Sequence, residues 1–330
     1  MKIGILGSGS WGTALAKVLT DNKHDVTIWG RDLDEIVDLS RYHRNERFFP
    51  NTILNDSIQA SLNFDDVSDA EILILAVPTA AIEEICQKIA GSFTHPVTIV
   101  NVAKGFHPTN HQRLSLVIKE TIPSTILKAV VSLIGPSHAE EVVIRMLTLV
   151  NAVSDDEEAS KLIQETFSNN YFRVYRNTDV IGAEIGVAVK NVIALASGIL
   201  SGLGYGDNAR AALITRGLVE ISRYGIFFGA KPETFLGLTG VGDLIVTCTS
   251  VHSRNYQAGL MIGQFDTAQI FWETNEKTVE GVAAVKVVYE EACKNNIEMP
   301  ITEQVYKVLY EGAKPSDSIN ILMGRSLKAE

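Results

Sequence analysis

The chain lacks a pairable set of cysteines. Its three, Cys86, Cys248 and Cys293, are odd in number and far apart, and no Cys-x-x-Cys occurs. Neither a disulfide framework nor a zinc knuckle is expected, and free thiols fit a reducing cytoplasm. Basic charge is also in deficit: 29 Lys and Arg against 39 Asp and Glu give a formal net charge of -10. Such a surface repels polyphosphate backbones, which disfavours nucleic acid and anionic membrane as partners. No run reaches the ~18 uninterrupted apolar residues of a membrane span. The apolar start after Met1-Lys2 is broken by Gly7, Gly9 and Gly12, unlike a secretory signal. Gly-x-Ser-x-Gly, His-Glu-x-x-His and a Gly-Lys-Ser/Thr phosphate loop are all missing. His107 and His111 are four apart, but Pro108 between them opposes a helical metal face, so no metal is expected. A protein of the cytoplasm, without a membrane span, is the expectation.

What the chain does have is enough apolar sequence for two cores. It runs to 330 residues, 46% hydrophobic and 21% charged, which exceeds one typical core and suits two domains. Short apolar, largely β-branched runs recur at 2–6, 26–29, 71–77, 97–102, 130–134, 147–153 and 171–175. Between them lie amphipathic or turn-rich stretches, the alternation of a parallel sheet covered on both faces. From Val180 onward the patterns turn long and helical, at 180–201, 208–224, 280–295 and 302–311. The expected fold is therefore α/β: a Rossmann-like doubly wound sheet over residues 1–178, then an all-helical domain over 179–330.

Gly7-Ser8-Gly9-Ser10-Trp11-Gly12 reads as Gly-x-Gly-x-x-Gly. Alone that pattern is weak. Here it follows a strand and opens a helix at the head of a βαβ pattern, which is the placement its chemistry needs. Gly7 permits the tight turn, Gly9 lets the backbone approach a pyrophosphate, and Gly12 seats the helix on the strand. The second strand ends at Trp29-Gly30-Arg31-Asp32. An acidic residue there would grip a ribose 2′-hydroxyl, whereas Arg31 stands where a cation would meet a 2′-phosphate. Arg31 reads equally well as a solvated charge, and Asp32 comes one residue late. NADP is expected to be accepted, with NAD open beside it.

Four segments carry polar residues beyond what packing requires. Lys104, in Asn101-Val102-Ala103-Lys104-Gly105, ends a buried strand, where open α/β sheets bind ligands, though a loop lysine is commonly just solvated. Gly135-Pro136-Ser137-His138-Ala139-Glu140 follows another strand, and its small residues would let a flat ring approach; His138 reads better as a helix-start residue than as a catalyst. Lys190 has Gly186, Val187, Ile193 and Ala194 as helical neighbours. It either snorkels outward or is buried, where desolvation would lower its pKa and fit it for proton exchange with an alcohol or carbonyl oxygen. Gly240-Val241-Gly242-Asp243-Leu244, Thr247 and Ser253-Arg254-Asn255 form the fourth segment. Asp243 reads as an N-cap or a site carboxylate, and the Ser-Arg-Asn triplet as a polar loop or a small phosphate site.

Taken together these segments closely resemble the NAD(P)-dependent glycerol-3-phosphate dehydrogenases of the bacterial soluble type. The resemblance rests on 7–12, Ala103-Lys104-Gly105, Gly135-Pro136-Ser137, Ala188-Val189-Lys190-Asn191-Val192 and the stretch 208–217. It continues through Gly240-Val241-Gly242-Asp243-Leu244, Ser253-Arg254-Asn255, Val279-Glu280-Gly281 and Met299-Pro300-Ile301-Thr302, spanning nearly the whole chain. It implies reversible reduction of dihydroxyacetone phosphate to sn-glycerol 3-phosphate by NADPH or NADH, supplying the glycerophospholipid backbone. It implies Lys190 as the proton donor or acceptor. Lys104, Gly135, Ser137, Asn191, Asp243, Thr247, Ser253, Arg254 and Asn255 would join Lys190 on the substrate. Ser10, Trp11, Arg31, Lys104, Ala139, Arg254 and Glu280 would join the glycines on the dinucleotide. One departure is Leu147-Thr148, after the unusually apolar Val142-Val143-Ile144, where the family usually has Pro-Thr. The glycine- and alanine-rich long helix also suggests a homodimer. A hydroxyacid or 6-phosphogluconate type of dehydrogenase and a non-catalytic dinucleotide sensor are the rival readings.

Overall fold

The computed structural model describes residues 1–275 and 278–327. The chain divides into two compact units, Met1–Val180 and Ile181–Glu330. The first is built on one eight-stranded sheet. Its strands are β1 (Lys2–Leu6), β2 (Asp25–Trp29), β3 (Ile58–Ser61), β4 (Ile72–Leu75), β5 (Val97–Asn101), β6 (Leu127–Ile134), β7 (Thr148–Val153) and β8 (Phe172–Asn177). Helices α1 (Ser10–Asp21), α2 (Leu33–Tyr42), α3 (Ile82–Ser92), α4 (Leu114–Thr121), α5 (Ala139–Val142) and α6 (Glu157–Phe167) connect them.

Strand side chains alternate between two buried faces, which is why the sequence shows continuous apolar runs. Ile72 and Ile74 of β4 join the core cluster beneath α1 and α6, and Leu73 and Leu75 join the one beneath α3 and α4. Burying each such side chain contributes about 2 kcal/mol. The strand order is β3-β2-β1-β4-β5-β6-β7-β8, so the winding reverses between β1 and β4. That switch point opens a crevice at the carboxyl end of β1, where the glycine motif begins.

Two features depart from the sequence reading. The sheet is not wholly parallel, because β7 runs antiparallel to β6 and β8 then pairs parallel to β7. The segment joining β6 to β7 holds only the one-turn helix α5, too little for a parallel crossover. Strand β3 was also not expected. It is a short edge strand with only Ile58 buried, so no apolar run marks it.

The second unit is helical: α7 (Val180–Gly202), α8 (Asp207–Phe227), α9 (Pro232–Phe235), α10 (Asp243–Thr249), α11 (Arg254–Phe265), α12 (Gln269–Thr274), α13 (Glu280–Lys294), α14 (Pro300–Tyr310) and α15 (Pro315–Met323). By length and composition α7 could cross a membrane, but 83% of its apolar window is buried inside the protein, as befits a core helix. Its glycines are consumed there. A Cβ on Gly198 would lie 2.1 Å from the Tyr256 carbonyl oxygen, and one on Gly259 would lie 2.1 Å from that of Leu195. Helices α7 and α11 thus pack backbone to backbone, and the small-residue face that suggested a dimer is spent within the unit.

Candidate active site

Each glycine of the motif has a distinct cause. Gly7 sits at φ +122°, and a Cβ there would strike the Ala76 carbonyl oxygen at 2.3 Å. A Cβ on Gly12 would lie 2.1 Å from the Gly7 carbonyl oxygen, so this glycine lets α1 close onto β1. Gly9 has nothing within 4 Å of its would-be Cβ and offers α1 no side-chain cap. Open space over a helix N-terminus with uncapped N–H groups is the cradle a pyrophosphate requires. Ser10 is the first residue of α1, and the half-buried Trp11 packs on the core beside it.

At the end of β2, Asp32 is occupied as the N-cap of α2, accepting from the Asp34 and Glu35 amides at 3.0 and 3.2 Å. Arg31 ion-pairs with Glu84 of α3 and lies over the Trp29 ring. An acidic group bonded to the glycine loop is Glu35, whose Oε2 accepts from Ser8 Oγ at 2.5 Å. Sequence reading passed it over because it lies a turn inside α2 rather than at the strand end.

Lys104, Gly135 and Ser137 come together in the structure. The Gly135 carbonyl oxygen accepts from Lys104 Nζ at 3.2 Å and from Ser137 Oγ at 3.0 Å. The Asn101 side chain folds over the turn, accepting from the Ala103 amide at 3.1 Å. Gly135 has a packing cause as well: its Cβ would stand 2.8 Å from the Val150 Cα. His138 occupies the N-cap position of α5, and Ala139 is that helix's first, buried residue.

In the helical unit Lys190 does not snorkel. It is 3% exposed and Asp243 1%, with Nζ 3.2 Å from Asp243 Oδ1. Lys190 Nζ also donates to Thr247 Oγ1 at 2.5 Å, and Thr247 Oγ1 donates to the Asp243 carbonyl oxygen at 2.6 Å. Asp243 is therefore no cap; Gly242 holds that position, at the end of a π-helical turn, Leu238–Gly242. Such turns aim side chains that a regular helix would not. Behind the pair, burial pushes the Cys248 thiol up to about 12, which keeps it from acting as a thiolate.

Asn191 and Asn255 form a second polar group. Asn255 Nδ2 donates to Asn191 Oδ1 at 3.0 Å, and the Gly281 amide donates to Asn255 Oδ1 at 2.8 Å. This ties α7, α11 and the start of α13 together and places Glu280, the first residue of α13. Ser253 caps α11 by accepting from the Tyr256 amide at 3.2 Å, which leaves Arg254 exposed as its first residue. A further buried acid, Glu220, was not foreseen. It accepts the Ile301 amide at 2.6 Å and the Thr302 amide and hydroxyl at 3.2 Å, capping α14. No cluster of potential metal ligands occurs among the described residues.

A switch-point glycine cradle in one unit and a buried lysine-carboxylate pair in the other define a dinucleotide-dependent dehydrogenase. Comparison with known proteins narrows this. The profile of the NAD-dependent glycerol-3-phosphate dehydrogenase N-terminus matches residues 2–160, and that of the C-terminus matches residues 179–320. Glycerol-3-phosphate dehydrogenase [NAD(P)+] of Listeria innocua is 48% identical over all of this chain and 98% of its own. That of Streptococcus agalactiae is 46% identical over the same shares. The glycerol-3-phosphate dehydrogenase structure from Coxiella burnetii superposes with a TM-score of 0.91 at 34% identity, covering 98% of this chain and 99% of that one. The chain belongs to the NAD-dependent glycerol-3-phosphate dehydrogenase family.

Proposed function

We propose that this protein interconverts dihydroxyacetone phosphate and sn-glycerol 3-phosphate with NADPH or NADH, supplying glycerophospholipid backbones in the cytoplasm. The observation that carries the chemistry is the buried Lys190–Asp243–Thr247 group. The first unit holds the dinucleotide on Gly7, Gly9, Gly12, Ser10 and Trp11, with Arg31, Lys104 and Ala139. Arg254 and Glu280 are its contacts from the helical unit.

When bound, the nicotinamide supplies the hydride. The protein's share is to manage a proton and a charge. Lys190 gives its proton to the carbonyl oxygen as negative charge develops there, and takes one from the alcohol in reverse. Asp243 counters the ammonium and Thr247 fixes its rotation, so the donor is oriented before substrate arrives. Lys104, Gly135, Ser137, Asn191, Asp243, Thr247, Ser253, Arg254 and Asn255 hold the substrate, whose phosphate is a handle remote from the reacting carbon.

The test is the fall in NADPH absorbance when dihydroxyacetone phosphate is added, beside a panel of keto acids. Turnover of the phosphorylated ketone alone supports this reading. Preference for a keto acid would point to a hydroxyacid dehydrogenase, and cofactor binding without turnover of any ketone to a sensor.

A further inference from the structure

Glu35 and Arg47 stand in a relation that the assignment of Arg31 to the 2′-phosphate does not use. Arg47 Nη1 donates to Glu35 Oε1 at 2.9 Å and reaches Asp32 Oδ2 at 3.5 Å. The other oxygen of Glu35 is held by Ser8 Oγ, inside the glycine motif. Ser8 in turn presses on the end of β2, since a Cβ on Gly30 would lie 2.4 Å from its Oγ. Asn45 completes the link by donating to the Ser8 carbonyl oxygen and to Thr13 Oγ1, both at 2.9 Å. Asp32, Glu35, Asn45 and Arg47 line an open cleft of about 450 Å³. In a sheet of this winding, the adenosine ribose lies at the end of β2, beyond the glycine turn.

We infer that Glu35 and Arg47 read the 2′ position of the adenosine ribose, so that one ion pair serves both nicotinamide cofactors. This rests on the proposed placement of the dinucleotide on the glycine turn. Glu35 is fixed, its side chain only 11% exposed, and presents an acceptor to a 2′-hydroxyl, the group that NADH carries. Arg47 is 66% exposed and free to swing from one carboxylate to a dianionic 2′-phosphate, the group that NADPH carries. Because Ser8 keeps Glu35 in place, the exchange costs the glycine turn nothing. Arg31 lies against Glu84 and Trp29 and would supplement Arg47.

The experiment is fluorescence titration of NADPH and NADH, in the absence of substrate, against the wild type, Arg47→Ala, Arg47→Lys and Glu35→Gln. Arg47→Ala is expected to raise the ratio of the NADPH to the NADH dissociation constant about tenfold, the usual weight of a charge-assisted contact. Arg47→Lys should recover part of that loss. Glu35→Gln removes the charge that competes with phosphate and should lower the ratio below the wild-type value. Ratios within twofold of wild type in both Arg47→Ala and Glu35→Gln, or shifted in the same direction by both, would overturn the inference. A wild type that binds neither nucleotide would instead overturn the proposed function beneath it.

Discussion

Lys190 Nζ and Asp243 Oδ1 are 3.2 Å apart with both side chains almost wholly withdrawn from water. A buried pair of this kind is costly to break and inexpensive to replace whole. Asp243→Ala would strand the ammonium and is expected to destabilise the fold by about 3–5 kcal/mol. Lys190→Met with Asp243→Leu should lose far less stability than the single variants added together. Thermal unfolding of the wild type, Lys190→Met, Asp243→Leu and the double variant measures the coupling.

The glycines of the motif should separate folding from binding. Gly7→Ala must hold an alanine at positive φ against the Ala76 carbonyl and is expected to lose several kcal/mol of stability. Gly9→Ala meets open space, so its melting temperature should stay near wild type while nucleotide affinity falls at least about tenfold. Calorimetry and nucleotide titration on the two variants distinguish these outcomes.

The packing of α7 on α11 yields a similar contrast. Gly198→Ala puts a methyl into the Tyr256 carbonyl, and the helices must part to admit it, at a cost of about 1–3 kcal/mol. Gly202→Ala meets the Leu260 carbonyl oxygen at 2.3 Å and should behave likewise. Gly91→Ala, on α3 with no neighbour within 4 Å, should instead gain from helix propensity.

Glu220 makes stability depend on pH. Burial is the main cause raising its carboxyl from 4.5 to about 7, against the lowering effect of the Ile301 and Thr302 hydrogen bonds. The folded state therefore binds a proton that the unfolded state releases near 4.5. That contribution is full below pH 4.5 and is lost as pH rises through about 7, on the order of 3 kcal/mol across the window. Glu220→Gln should flatten the fall in melting temperature between pH 5 and 8. An unchanged slope would assign the pH dependence elsewhere.

The sequence was most legible where a backbone or a periodicity imposed the residue. Gly7 could be read because its positive φ excludes a side chain, Gly12 because a Cβ would strike the Gly7 carbonyl, and the central strands because both faces of the sheet are buried. Edge strand β3 left no trace, having one buried residue, and α11 was hidden by the glycines that let it approach α7. Lys190 was legible as an anomaly on an apolar helix, but its partner was not. Asp243 reads from sequence as either a cap or a site carboxylate, and its direct pairing with Lys190, set up after the π-helical turn before α10, shows only in the structure. Glu35, Arg47 and Glu220 were invisible for the same reason. Their meaning lies in partners far along the chain, such as Thr302 for Glu220, 82 residues away.

The central claim is that Lys190 carries the proton of the redox step. It is tested most directly by steady-state kinetics with dihydroxyacetone phosphate and both cofactors, on the wild type and Lys190→Ala. The account predicts that the wild type turns over and that kcat in the variant falls about 10²–10⁴-fold. Nucleotide affinity in the variant should stay near wild type. A folded Lys190→Ala enzyme with kcat within a few-fold of wild type would contradict it.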